Sequence, residues 1–189
     1  MNGLIEKKSP VEFDIALARA LAAEAALAYS ASQIVSDETG AAARINYNAD
    51  KGAIIVSFRG SCAPIDFIQD GKFELRMLGY SNASNPVRVH AGFLEDISAI
   101  DSGVTQQVRG LLDRFPQAQL WVTGHSLGGA LALLYAVEAV RLGLPVAWVY
   151  TFGQPRVGDA AWAAMYEGLL GERTMRVVNE NDIVPRTPP

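Results

Sequence analysis

The residues best suited to chemistry are a serine and the glycines on either side of it. Residues 124–128 read Gly-His-Ser-Leu-Gly, with Ser126 at the centre, and Gly129 follows directly. An apolar stretch precedes this segment and a helical pattern follows it, as in a strand-to-helix turn that projects the serine hydroxyl. The first N–H groups of such a helix face the place where an oxyanion develops during acyl transfer. The pattern predicts that Ser126 is a nucleophile on a sharp elbow, whereas the five residues alone would also fit a simple tight turn.

Two carboxylates compete for the role of the acid that orients a general base. Asp159 and Asp182 each follow a predicted strand. Asp159 also stands immediately before a helical stretch, where its side chain suits an N-cap. Asp182 follows the last predicted strand, and its place after Ser126 fits the chain order serine, acid, histidine. A carboxylate there would accept a hydrogen bond from an imidazole and stabilise its charged form, so Asp182 is the preferred acid.

The general base is harder to find, because the chain has only two histidines. His125 adjoins Ser126, but neighbours on a sharp turn point in different directions, so a structural role is predicted for it. No histidine follows Asp182. A serine without a base retains little activity, since its hydroxyl stays protonated near neutral pH. Three explanations are open: the histidine lies on a continuation of the chain, the protein binds esters without turnover, or a partner chain supplies the base.

Strand and helix patterns alternate through the second half of the chain, which is typical of a parallel sheet with helical crossovers. We therefore predict one α/β domain over residues 1–189, with a mainly parallel central sheet flanked by helices. The predicted strands cover residues 44–47, 53–58, 120–123, 146–152 and 175–179. The predicted helices cover residues 13–30, 92–115 with an interruption, 129–142 and 160–170.

Composition narrows the range of partners. Half of the 189 residues are hydrophobic, 19% are charged and the net charge is −4. An acidic chain without a Lys/Arg cluster is not expected to bind nucleic acid. No secretory signal or transmembrane segment is recognisable, which predicts a cytoplasmic location. No metal-ligand spacing and no phosphate-binding glycine loop are visible, so no metal and no cofactor are expected.

Beyond the elbow, the chain resembles the class 3 lipases, the fungal-lipase-like branch of the α/β-hydrolases. The matching segments, in the order of the family, are residues 56–61, 89–93, 122–130, 151–159 and 176–185. The resemblance implies an α/β-hydrolase sheet that lacks its last C-terminal elements. It also implies a lipase or esterase that cleaves acylglycerol-type esters through an acyl-enzyme on Ser126. The expected partners are a lipid or small ester substrate and a transient lipid interface. Phospholipid esters, feruloyl esters and acyl transfer to another alcohol are alternatives, as is an ester-binding module without turnover.

The resemblance also assigns individual residues. It implies Ser126 as nucleophile, Asp182 as acid, and an oxyanion hole built from the backbone N–H of Leu127 and from Ser61. It places His90 in the buried core rather than at the catalytic centre. From the residues alone, Ser61 would have been interpreted as a turn serine that binds local backbone.

Residues 64–70 fall where the family carries its lid. Ile65, Phe67 and Ile68 would lie on the apolar side of a short amphipathic flap over the acyl site. An ordinary surface helix that packs its isoleucines on the core is the alternative.

Overall fold

A computed structural model describes residues 13–60, 74–81 and 86–187, and its centre is a six-stranded sheet. The strands of this sheet are β1 Ile34–Val35, β2 Ala42–Asn48, β3 Ala53–Phe58, β6 Gln119–His125, β7 Val146–Phe152 and β8 Thr174–Val177, and they lie side by side in that order. β1, β2 and β3 pair antiparallel, whereas β3, β6, β7 and β8 are parallel. A separate antiparallel pair consists of β4 Leu75–Met77 and β5 Arg88–His90. The mainly parallel sheet agrees with the predicted α/β class.

Helices cover both faces of this sheet. They are α1 Ile15–Leu27, α2 Ala91–Ser98, α3 Asp101–Arg114, α4 Leu127–Arg141 and α5 Ala160–Leu170, with short 3-10 turns at Gly171–Arg173 and Val184–Arg186. The larger core lies between the sheet and α2 to α5, and the smaller core lies under α1. Ile54, Val56 and Phe58 of β3 face the larger core, and Ile55 faces α1. This burial on both faces explains the continuous apolar run in the sequence.

The predicted elements agree closely with the structure where their patterns are long. β3, β7 and α5 have the predicted bounds, and the pattern over 92–115 is divided into α2 and α3. Gly143, with φ of +74°, follows the end of α4 as expected of a C-terminal glycine. The last strand is shorter than predicted, and β1, β4 and β5 were not predicted. These three strands have only two or three residues, too few for an alternating pattern to be recognised.

The parallel strands place their carboxyl ends at one edge of the sheet. Phe58 at the end of β3 is paired with Gly124 of β6, and His125 is paired with Phe152 of β7. Phe152 is paired in turn with Val177, the last residue of β8. The loops that follow these four strands therefore begin side by side, which is where open α/β sheets hold their functional groups.

Among the described residues, no helix is both long enough and apolar enough to cross a membrane. The cytoplasmic location stays a prediction.

Candidate active site

Ser126 stands on the predicted strand-to-helix turn, between β6 and α4. Its φ of 54° and ψ of −128° make it the one non-glycine residue with positive φ in the described part of the chain. Its backbone N–H donates to the carbonyl oxygen of Phe152 at 2.9 Å, and its own carbonyl accepts from the N–H of Gly129 at 2.9 Å. Its hydroxyl makes no capping hydrogen bond to α4. The turn is therefore fixed by backbone bonds, and the hydroxyl is not used to hold the helix.

The glycines of the motif are there because neighbouring backbone leaves no room for a side chain. A Cβ on Gly124 would collide with the carbonyl oxygen of Gly128, and a Cβ on Gly128 would collide with that of Phe58. A Cβ on Gly129 would stand 2.8 Å from the Cβ of Gln154. The three glycines thus let β6 and α4 meet tightly and let the elbow lie against the end of β3.

One of the two predicted oxyanion donors is placed by this geometry. Leu127 is the first residue of α4, so its N–H has no partner inside the helix and lies at the positive end of the helix dipole. The second predicted donor, Ser61, lies outside the described residues, as do the predicted lid residues Ile65, Phe67 and Ile68.

Asp182 lies on the turn that follows β8, at the same sheet edge. Its Oδ1 accepts a hydrogen bond from the N–H of Val184 at 2.9 Å. Its Oδ2 lies 2.8 Å from the point where a Cβ on Gly153 would stand, and Gly153 follows β7 directly. One carboxylate oxygen is thus held by backbone, and the other is turned toward the loop beside the elbow.

Arg176, to which the sequence analysis gave no role, ties the Asp182 turn to the loop after β7. Its guanidinium donates to the carbonyl oxygens of Gln154 at 2.9 Å and Pro185 at 2.8 Å. Partial burial, and then the nearby charge of Arg156, lower the pKa of Arg176 from its ordinary value. A charged residue in an edge strand, inside one of the matching segments, was the available signal in the sequence.

Asp159 has the capping role that its position predicted. Its side chain accepts from the N–H of Trp162 at 2.9 Å and begins α5, and Arg88 lies 3.9 Å from its second oxygen. Both oxygens of this carboxylate therefore face partners at the start of a helix, which favours Asp182 as the acid.

His125 is exposed, and its ring is held at one nitrogen. Nδ1 lies 3.0 Å from the hydroxyl of Tyr29, while Nε2 lies 3.7 Å from the position of a Cβ on Gly153. A triad histidine uses both nitrogens, one for the serine and one for the acid. Because Tyr29 occupies Nδ1, His125 does not have the free pair of nitrogens that a base between Ser126 and Asp182 requires.

His90 is 5% exposed, and its ring packs against Phe93 with centroids 4.5 Å apart. Its backbone N–H donates to Val157 at 2.9 Å. The structure thus places it in the buried core, as the resemblance implied. Over residues 13–60, 74–81 and 86–187, no group of three His, Cys, Asp or Glu side chains is arranged to hold a metal ion.

Comparisons with known proteins point to one family. Residues 55–189 match the family Lipase (class 3). A lipase of Rhizomucor miehei is 39% identical over 140 residues, which cover 72% of this chain and 38% of that protein. Phospholipase A1-II 4 of Oryza sativa subsp. japonica is 33% identical over 159 residues, which cover 72% of this chain and 40% of that protein.

Solved structures agree with the sequence matches. The crystal structure of a lipase from Rhizopus microsporus var. chinensis superposes with a TM-score of 0.83 at 27% identity, over 95% of this chain and 71% of that chain. The chain spans about two fifths of the length of the curated relatives compared above. Because the family match extends over more than half of the 189 residues and the fold agrees with it, this chain belongs to the class 3 lipases.

Proposed function

We propose that this chain carries the nucleophile and the acid of a carboxylic ester hydrolase, and that Ser126 takes up the acyl group of the substrate. The observation that carries the proposal is the strained Ser126 at the start of α4, on the same sheet edge as the Asp182 carboxylate. A serine on such a turn projects its hydroxyl from the elbow and lies next to N–H groups that have no partner within the helix, although only 5% of Ser126 is exposed.

The proposed chemistry is acyl transfer in two steps. The Ser126 oxygen attacks the ester carbonyl as a base removes its proton, and the alcohol leaves with a proton returned by that base. The N–H of Leu127 stabilises the oxyanion, and the resemblance supports Ser61 as the second donor. Asp182 Oδ2 orients the base and stabilises its charged form. Water then attacks the acyl-enzyme and releases the acid.

The general base is proposed to be an imidazole that these 189 residues do not provide. His90 is buried and His125 is held at Nδ1 by Tyr29, and the chain has no other histidine. Gly153 allows Asp182 Oδ2 to lie close to the loop after β7, because a Cβ at this position would stand only 2.8 Å from that oxygen. An imidazole that donates to Asp182 Oδ2 would lie at the same sheet edge as the elbow.

Acylglycerol-type esters are the proposed substrates. The supporting observation is that relatives include a secreted mono- and diacylglycerol lipase of Fusarium solani, which is 32% identical over 156 residues. Phospholipid esters are the alternative substrates within the same reaction class, because another relative is the phospholipase A1 from Oryza sativa.

Free imidazole offers a direct test with the chain as it stands. We expect hydrolysis of p-nitrophenyl butyrate to become proportional to protein concentration when imidazole is added, and to saturate when imidazole is bound to Asp182. Ser126→Ala is the matched control, because it retains the fold and leaves only the reaction that imidazole catalyses in free solution.

Asp182→Asn separates a bound base from a free one. Asn keeps an oxygen for the Val184 N–H but loses the charge that stabilises an imidazolium. We expect it to lower the imidazole-dependent rate by at least about tenfold. If the chain accelerates hydrolysis no more than Ser126→Ala does at any imidazole concentration, the hydrolase proposal is wrong. Ester binding without turnover would then be the remaining function.

A further inference from the structure

The hydroxyl of Tyr29 lies where two segments of the candidate active site meet. Tyr29 follows α1, and its Oη lies 3.0 Å from Nδ1 of His125, the residue before the nucleophile. The same hydroxyl lies against Gly60, since a Cβ on Gly60 would collide with it. That Cβ would also stand 2.5 Å from the carbonyl oxygen of His125. Tyr29 therefore touches the end of the β3 segment and the start of the elbow at once.

The spacing of these two segments matters for the proposed reaction. An oxyanion hole works when its donors lie about 2.7–3.1 Å from the developing charge. The proposed donor Leu127 and the nucleophile Ser126 both belong to the elbow, which packs on the end of β3 through the close contact between Gly128 and Phe58. A small shift of the elbow on the β3 end would therefore displace the donor and the nucleophile without unfolding the protein.

Tyr29 is well anchored for such a role. Leu21 and Ala25 of α1 are buried, and α1 packs on the face of the sheet formed by β3 and β6. Tyr29 lies on the turn directly after this helix, where its backbone N–H donates to the carbonyl oxygen of Ala26 at 3.2 Å.

We infer that Tyr29 is a positioning residue for the nucleophile, which acts through His125 and Gly60 to fix the elbow against the end of β3. The inference deepens the proposed ester hydrolysis and rests on it. Tyr29 does not touch the reacting atoms; it fixes the position of the elbow that carries Ser126 and Leu127.

The contact also bears on which nitrogen of a neutral His125 ring carries the proton. If the Tyr29 hydroxyl donates to Nδ1, the ring proton resides on Nε2. Nε2 and Asp182 Oδ2 border the same point above Gly153, so a proton there is favoured by the neighbouring carboxylate. The opposite tautomer would turn a lone pair toward that negative charge. The structure therefore predicts the Nε2–H form, with Tyr29 as donor.

Tyr29→Phe tests the inference, because it removes the hydroxyl and keeps the ring. We expect kcat of the imidazole-dependent reaction to fall about fivefold with KM unchanged, which corresponds to one ordinary hydrogen bond used in the transition state. We also expect ¹⁵N NMR of the ring to show that the preference of His125 for Nε2–H becomes weaker. The chain has only one other histidine, so the signals are assigned with a His90 variant.

Tyr166→Phe is the matched control. It removes a comparable hydrogen bond, from Tyr166 Oη to Thr174 Oγ1 at 2.8 Å, at the far end of β8 from the site. We expect a similar loss of melting temperature and an unchanged kcat. In a His125→Ala background, Tyr29→Phe should have a smaller effect, because the two residues act as one unit.

The results for these variants test the role of Tyr29 separately from the proposed hydrolysis. Equal loss of kcat in Tyr29→Phe and Tyr166→Phe would show that only general stability is involved, and would overturn the inference. An unchanged kcat in Tyr29→Phe would overturn it as well. Absence of Ser126-dependent turnover in the unaltered chain would contradict the proposed function instead. The tautomer measurement would then still decide whether Tyr29 orients the His125 ring.

Discussion

Ser126 holds a backbone conformation that non-glycine residues rarely adopt, and such a conformation costs about 1–3 kcal/mol. The surrounding structure compensates through the bond from Ser126 to Phe152 and through the close contact of Gly128 with Phe58. The strain is thus retained where a projecting hydroxyl is needed. The same contacts make the elbow sensitive to the smallest added side chain.

Gly128→Ala tests that sensitivity. The new Cβ would collide with the carbonyl oxygen of Phe58, so we expect a loss of about 1–3 kcal/mol in the free energy of unfolding, measured with urea. Gly168→Ala is the control, since Gly168 lies in α5 with open space around it. It should stabilise the protein by roughly 0.5–1 kcal/mol. Equal changes in the free energy of unfolding for the two substitutions would contradict the close contact between Gly128 and Phe58.

Among individual residues, the sequence predicted those whose role depends on their neighbours in the chain. The elbow around Ser126 was predictable because its glycines and serine are contiguous. Tyr29 was not predictable, because its role depends on a partner distant in the chain: Tyr29 and His125 are 96 residues apart. Ser61 stays a prediction from the resemblance.

At the scale of elements, four parallel strands bring the candidate residues together at one edge, and α5 begins at the other candidate acid, Asp159. β7 and α5 were predicted with the observed bounds because each has a clear apolar pattern and a clear boundary residue. The pair β4–β5 was missed because each of its strands is only three residues long. Its pairing is therefore set by tertiary contacts rather than by local pattern.

Substitutions of Asp159 and Asp182 should have different effects, one on stability and the other on catalysis. Asp159→Ala removes the cap of α5, and we expect a loss of about 1 kcal/mol in the free energy of unfolding with little change in imidazole-dependent turnover. Asp182→Asn should lower the imidazole-dependent turnover and change the free energy of unfolding little. Urea unfolding and the ester assay on the same preparations check both results. If turnover survives in Asp182→Asn and is lost in Asp159→Ala, then Asp159 is the acid that orients the base and Asp182 is not.

At the scale of the whole molecule, one partly buried carboxyl makes stability depend on pH. Burial raises the pKa of Asp96 to about 6 from its ordinary value of 3.8, a hydrogen bond from Thr39 opposes this shift, and Glu95 adds to it. An acid with a higher pKa in the folded state binds its proton more tightly there. Its contribution to folding therefore improves as pH falls from above 6 toward 3.8.

Asp96→Asn should remove this dependence. We expect the variant to be more stable than the unaltered chain at pH 7.5, by less than about 1 kcal/mol because the carboxyl is only partly withdrawn from water. The difference should vanish near pH 4, where the native carboxyl is protonated. Melting temperatures at both pH values measure it, with Asp50→Asn, at an exposed turn, as the control for loss of one charge. A constant difference between the two pH values would contradict the assignment to Asp96.

The reactivity of Ser126 tests the central claim most directly. The unaltered chain, incubated with a p-nitrophenyl alkylphosphonate and imidazole, should release one equivalent of p-nitrophenol and gain the mass of one phosphonyl group. Peptide mass spectrometry should locate that group on Ser126, and Ser126→Ala should remain unlabelled. Labelling of another residue to the same extent in both chains, or no labelling of either, would contradict the assignment of Ser126 as the nucleophile.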